Sequence, residues 1–236
     1  MGLGAGLPAN CLLTVGNYGD SQFNLGGSHT GLPCKAAAHR YVLWNLLQQN
    51  GINAFFVGPA STSHDSDVKQ VWHSGIDGTR VGTAQAGLVA FTLQNAPEVI
   101  CYCLGTNDIS ADGTTAAVLA PTIKTNVSQL WDLGQRAGQN KTKLIEVCSI
   151  PDTPAGSPEA TKLSPLIRQA CAELQATGRN CLFVDLFTAL GPNTGTNSGA
   201  NFDPTSSPHP NDGGHVKIAQ ALLGTRGSGL LIDWTR

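Results

Sequence analysis

The chain has 236 residues, of which 13% are charged, with a formal net charge of −2. So few charges, with no basic surplus, leave no face for nucleic acid and no polybasic membrane signal, so composition points to neutral small molecules or glycans as partners. The length suits one core and a single domain over residues 1–236; no run reaches the roughly 18 apolar residues of a membrane helix, and the opening MGLGAGLPANCLLTVG lacks the basic start of a signal peptide.

Taken in chain order, the first apolar run, Leu12–Val15, predicts a strand and leads into the polar block GDSQ at 19–22. Helical spacing over Ala36–Gln49 stops at NGIN, and a second strand follows at Ala54–Val57. The block HSG at 73–75 is expected in a loop before the helical stretch Thr83–Gln94. A third strand, Val99–Leu104, runs straight into GTND at 105–108. Helical spacing then returns over Ala116–Arg136 and, after a strand at Leu144–Ile150, over Pro158–Thr177, which stops at ATGRN. A fifth strand, Leu182–Leu186, precedes the low-complexity stretch 191–201, which reads as a solvated loop or a flap beside a site. The block HPND at 209–212 opens the last helix, Gly214–Leu223. Strands alternating with helices predict an α/β fold, a flavodoxin-like three-layer α/β/α sandwich around a five-stranded parallel sheet.

Each polar block alone is an ordinary turn or cap. Their joint placement says more, because GDSQ and GTND follow apolar runs, and polar groups at strand ends are where open α/β sheets build sites. Together the four blocks supply a serine, a glycine amide, an asparagine amide and a histidine. That set can attack an acyl carbon and hold the resulting oxyanion.

On these blocks the chain resembles the SGNH (GDSL-type) hydrolases, named for those four residues. The stretches RYVLWNLLQQNGINAFFVGP, HDSDVKQVWHSG and APEVICYCLGTND look like the acetyl xylan esterases of carbohydrate esterase family three, and the likeness spans roughly residues 11 to 225. It implies the SGNH hydrolase fold and a serine esterase acting on short acyl esters, chiefly O-acetyl groups on carbohydrate such as xylan. It further implies Ser21 as nucleophile, His209 as general base, and the Ser21 and Gly75 amides with the Asn107 side chain as the oxyanion hole. A lipolytic esterase, thioesterase or lysophospholipase on the same scaffold, and a glycan-binding homologue with a decayed site, are the competing readings.

One position departs from the pattern. The family places its triad aspartate three residues before the histidine, where this chain has Ser206. Asp203, in FDPTSSPHP, is the nearest carboxylate; it or a backbone carbonyl is left to orient the imidazole. Asp65, Asp67 and Asp212 read as loop or capping residues. Trp72 reads as a stacking surface for a sugar ring or as packing, Arg80 as a contact to a polar substrate or a solvated side chain, and Arg40 and Tyr41 as structural.

Seven cysteines leave at least one thiol without a partner inside a monomer. Cys101, Cys103 and Cys148 read as small core residues; Cys171 with Cys181, and Cys11 with Cys34, are possible bridges in an oxidising compartment. No spacing suggests a metal site, and the chemistry calls for no cofactor. The sequons at Asn126 and Asn140, with few lysines and much Gly, Thr, Ser and Asn, point toward secretion. Nothing in the sequence speaks to oligomeric state.

Overall fold

The computed structural model describes residues 13–20, 39–61, 72–95, 97–136, 142–152, 158–192, 201–202 and 209–227, the side chains of 60, 61, 72 and 225–227 excepted. In chain order the elements are β1 (Leu13–Gly19), α1 (His39–Gln49), β2 (Ala54–Val57), β3 (Ala60–Ser61), β4 (Trp72–Gly75), α2 (Val81–Asn95), β5 (Val99–Cys103), α3 (Thr106–Ser110), α4 (Ala116–Gly134), β6 (Leu144–Cys148), α5 (Pro158–Ala176), β7 (Cys181–Val184), α6 (Leu186–Leu190) and α7 (Asp212–Gly227). The five expected strands are β1, β2, β5, β6 and β7. They pair in parallel in the order β2-β1-β5-β6-β7, the flavodoxin-like arrangement.

Strands β5 and β6 are buried at every position, as a parallel sheet covered on both faces requires. One face packs through Tyr18, Ile100, Tyr102 and Val147 on Val81, Leu88 and Phe91 of α2, Ile123 and Val127 of α4, and Leu163 and Ile167 of α5. The other packs through Val15, Phe56, Val99 and Cys101 on Leu43 and Leu47 of α1, Leu186 of α6, and Ile218 and Leu222 of α7. Each fully buried Leu, Ile or Phe stabilises this sandwich by roughly 1.5–3 kcal/mol. The helix stops work as their glycines imply: Gly51 and Gly178 have φ of 74° and 83°, and their amides close back on the Gln48 and Gln175 carbonyls.

The HSG block corrects the expected loop. It lies in a short strand, β4, which pairs in parallel with the end of β1, Tyr18 with Ser74 and Gly19 with Gly75, while β3 lies antiparallel to β4. Strand β2 covers only the first half of β1, so a vacant edge remains above Gly16 and β4 fills it. Four residues ending in Ser-Gly carry too little periodicity to announce a strand.

Three other sequence readings meet their structure here. Cys101, Cys103 and Cys148 are buried thiols in the core. Cys171 and Cys181 are also thiols, with sulfurs 3.3 Å apart and the Cys181 S–H donating. Asn126 is buried in α4, donating to the Val81 carbonyl and the Tyr102 hydroxyl, so it is closed to glycosylation. Cys11, Cys34, Asp65, Asp67, Asn140 and most of the 191–201 stretch lie outside the described residues.

Gly58 sits where β2 hands over to β4, and a Cβ there would lie 2.1 Å from the His73 carbonyl oxygen and 2.4 Å from its nitrogen. Backbone atoms cannot step aside as a flexible side chain can. Gly58→Ala is expected to destabilise the protein by about 3 kcal/mol, read as a drop in the urea midpoint. A variant unfolding within 0.5 kcal/mol of the parent, on the order expected of a neutral surface change, would contradict this packing.

Candidate active site

Three of the four polar blocks meet at the carboxyl ends of adjacent strands. Gly19 at the end of β1 pairs with Cys103 of β5 on one side and Gly75 of β4 on the other. Ile76, just past Gly75, donates its N–H to the Gly19 carbonyl, which locks the HSG turn to the start of the GDSQ block. Asp20 is fully buried at that point. The next residue, Ser21, lies outside the described residues, as do Asp203, Ser206 and the Trp72 side chain.

Asn107 stands in the second position of α3, immediately beyond β5. The turn into that helix needs glycine: Gly105 has φ of 125°, and a Cβ would approach Leu119 Cδ2 to 3.0 Å. The Asn107 Nδ2 donates to the Thr79 carbonyl at 3.1 Å, which ties the GTND block to the loop following HSG. A carboxamide nitrogen carries two hydrogens, so this bond orients the group and leaves its second N–H for a ligand. Asp108 is buried and accepts from the Val81 N–H at 3.1 Å, capping α2 onto the same corner. Burial raises its carboxyl above the usual range.

Gly75 does not stand idle. Its N–H donates to Nδ1 of His73 at 3.0 Å, a bond within the HSG strand itself. An oxyanion arriving at this amide must compete with a neutral imidazole nitrogen, and the charge-assisted bond is roughly twice as strong.

His209 is half-buried just ahead of α7. Its position follows from the rest of HPND. Asn211 caps the helix by accepting from the Gly214 N–H at 3.0 Å, and its Nδ2 donates to the Phe202 carbonyl at 3.1 Å. Pro210 bridges Phe202, and Asn201 donates to the Leu190 carbonyl at 2.7 Å. The histidine thus leaves a tightly pinned corner on the α1/α7 side of the sheet.

Beneath the rim on that side lies a buried group that no spacing in the sequence announces. His39 and Arg40 open α1, His215 lies in α7 and His73 in β4, all within 2% exposure. The rings of His39 and His215 stack with centroids 6.1 Å apart. Burial first, then the Arg40 charge, hold His73 at about 3 and push His39 well below the ordinary imidazole value. Both are neutral at working pH, which makes His73 Nδ1 a competent acceptor for Gly75. Arg40 is structural in the expected sense, a guanidinium enclosed at the base of the site. Arg80, read as a substrate contact or a solvated side chain, is exposed and grips Asp112 with two 2.8 Å bonds. Among the described residues no cluster of His, Cys, Asp and Glu has metal-site geometry, and no helix is long and apolar enough to cross a membrane.

A three-layer sandwich whose GDSQ, HSG and GTND blocks lie at the carboxyl ends of β1, β4 and β5 has the architecture of the SGNH hydrolases. Residues 19–217 match the GDSL-like lipase/acylhydrolase family, so the chain belongs to that family and is an ester hydrolase. In fold it is similar to a carbohydrate esterase family 3 protein from Talaromyces cellulolyticus, at a TM-score of 0.71 and 16% identity, covering 89% of this chain and 94% of that one. It is equally similar to the family 3 carbohydrate esterase of Clostridium thermocellum, at 0.71 and 19%, covering 91% and 95%. A catalytic mutant of an acetylxylan esterase from Geobacillus stearothermophilus aligns at 0.60 and 17%, covering 95% and 96%. No curated protein matches the sequence.

The buried imidazoles set a pH dependence. Because the folded pKa values lie below the unfolded value near 6.5, the unfolded chain binds more protons as pH falls, and stability present at neutral pH is lost below that point. The loss approaches about 1.4 kcal/mol per pH unit for each imidazole. The carboxylates Asp112, Glu159 and Glu173 are held below their usual range and titrate only at lower pH, and Asp108, raised by burial, is a single group acting in the opposite sense against two imidazoles. Urea midpoints are expected to fall steadily from pH 6.5 to 4.5. A flat profile over that window would mean that His39 and His73 are not buried neutral.

Proposed function

We propose that the protein is a serine esterase that removes short acyl groups, chiefly acetyl groups carried on carbohydrate such as xylan, through an acyl-enzyme on Ser21. The observation that carries the reading is the Asn107 Nδ2 bond to the Thr79 carbonyl, which ties the GTND block to the loop that follows HSG and presents an oriented amide at that corner. Family membership and the fold shared with carbohydrate esterases support it.

In this mechanism His209 takes the Ser21 proton as the hydroxyl attacks, then returns it to the departing sugar hydroxyl. The Ser21 and Gly75 amides and the Asn107 side chain hold the tetrahedral oxyanion, each donor contributing about a hundredfold or more in rate. Asp203 orients His209 by accepting its second ring proton. Trp72 stacks on the sugar ring. No cofactor enters the chemistry, and the substrate is a small acyl ester or an acetylated glycan. We place the enzyme outside the cell on its composition, Asn126 no longer contributing to that argument.

One observation favours longer acyl chains as a second reading. Ile76, directly after Gly75, is 53% exposed and offers apolar surface at the rim. A p-nitrophenyl ester series separates the two: an acetyl-sized pocket gives rates that collapse beyond about four carbons, whereas an Ile76-lined groove holds them level.

Ser21→Ala is expected to abolish p-nitrophenyl acetate hydrolysis and fluorophosphonate labelling while the circular dichroism spectrum stays unchanged; a fully active variant would sink the assignment. Asp203→Asn is expected to cut kcat on the order of 10⁴-fold, as neutralising a triad carboxylate does. Unchanged turnover in that variant would hand the orienting role to another acceptor. Acetate release from acetylated xylan, against other acetylated glycans, identifies the polymer.

A further inference from the structure

Arg80 is more heavily engaged than an exposed arginine needs to be. Its Nε and Nη2 donate to the two carboxylate oxygens of Asp112 at 2.8 Å each, and its Nη1 donates to the Gly78 carbonyl at 2.5 Å. Asp112 lies in the turn just after α3, where its own N–H and that of Ala111 both reach the Asn107 carbonyl, at 3.3 and 3.0 Å. Between Gly78 and Arg80 sits Thr79, whose carbonyl accepts the Asn107 side-chain N–H. The bonds therefore close a ring: Asn107 side chain to Thr79, Thr79 through the chain to Arg80, Arg80 to Asp112, and Asp112 back to the Asn107 backbone. Asp108, accepting from Val81, adds a second tie between the same two segments.

We infer that Arg80 is a positioning residue for ester hydrolysis, one that fixes the Asn107 carboxamide by stapling the 78–80 backbone to the turn after α3. The inference rests on the oxyanion role proposed above for Asn107. Only a planar fork can do this work. It must hold both oxygens of one carboxylate and a carbonyl at once, which the compact ammonium of lysine does not. The side chains of Arg80 and Asp112 are 36% and 43% exposed, and an ion pair so exposed adds little to global stability. Its consequence is local: with the staple cut, Thr79 is free to drift, and the Asn107 amide loses the acceptor that aims its second N–H. Misplacing a group that stabilises the transition state by about 1 Å costs on the order of a hundredfold in rate, so a loosened donor is expected to cost about tenfold.

The test is p-nitrophenyl acetate hydrolysis by the full chain, with Arg80→Gln, Arg80→Lys and Asp112→Asn made separately, Arg80→Gln combined with Asp112→Asn, and Arg80→Gln repeated in an Asn107→Ala background. Each single variant is expected to lose about tenfold in kcat with KM unchanged and Tm within about 2 °C of the parent. Arg80→Lys falls with Arg80→Gln, since charge alone does not restore the fork, and the double variant is no worse than either single. In the Asn107→Ala background Arg80→Gln becomes silent, because the group it positions is gone. The inference is overturned by a kcat within twofold of the parent, by recovery in Arg80→Lys, by a loss confined to KM, or by an undiminished loss in the Asn107→Ala background. Failure of the enzymatic reading itself shows separately, as activity that survives Ser21→Ala or a full kcat in Asn107→Ala alone.

Discussion

The end of β1 is the point on which the site depends. Gly19 is paired with Cys103 of β5 and with Gly75 of β4, and its carbonyl takes the Ile76 N–H. This one row of backbone pairing brings three of the four polar blocks to a common edge before any side chain acts. Parallel pairing in register leaves little freedom here. A slip of one residue would turn Val15 and Asn17 to the opposite face and separate the apolar layers on both sides of the sheet. The hydrophobic core therefore sets the register, and the register sets the site.

The short strand β4 shows how tightly the two are coupled. Strand β2 yields the β1 edge after Val57, and Gly58 lets the chain pass against the His73 backbone at a distance that no Cβ would permit. That close passage puts His73 into the layer beneath the rim, beside Arg40 and the stacked pair His39 and His215. A layer of buried imidazoles is costly to charge. It stays neutral, and in that state His73 accepts the Gly75 amide, so the polar interior and the candidate oxyanion donor are linked by one hydrogen bond.

The opposite side of the corner is built on other physics. There two of the ties are exposed or half-buried, Arg80 to Asp112 and Asn107 to Thr79, and one is buried, Asp108 to Val81. Exposed bonds of this kind contribute little to the folding equilibrium, but several converging on two short segments restrict them relative to each other. The β4 side gains rigidity from packing, and the α3 side from a closed ring of hydrogen bonds. Both act on groups proposed to meet the same oxyanion.

The sequence by itself determined the alternation of strand and helix, the helix stops at Gly51 and Gly178, and the order of the blocks along the chain. It did so because apolar period, positive-φ glycines and short polar motifs are properties of neighbouring residues. The likeness to the carbohydrate esterases followed from those same local stretches, and the family match and shared fold bear it out. Tertiary structure alone decided that HSG is a strand, that Asn126 is sealed in α4, that the exposed Arg80 pairs with Asp112, and that the Gly75 amide already has a partner in His73. Each of these depends on which distant segments the sheet register places side by side. A side chain's partner across the fold is set by packing the whole core, and no window of neighbouring residues contains it.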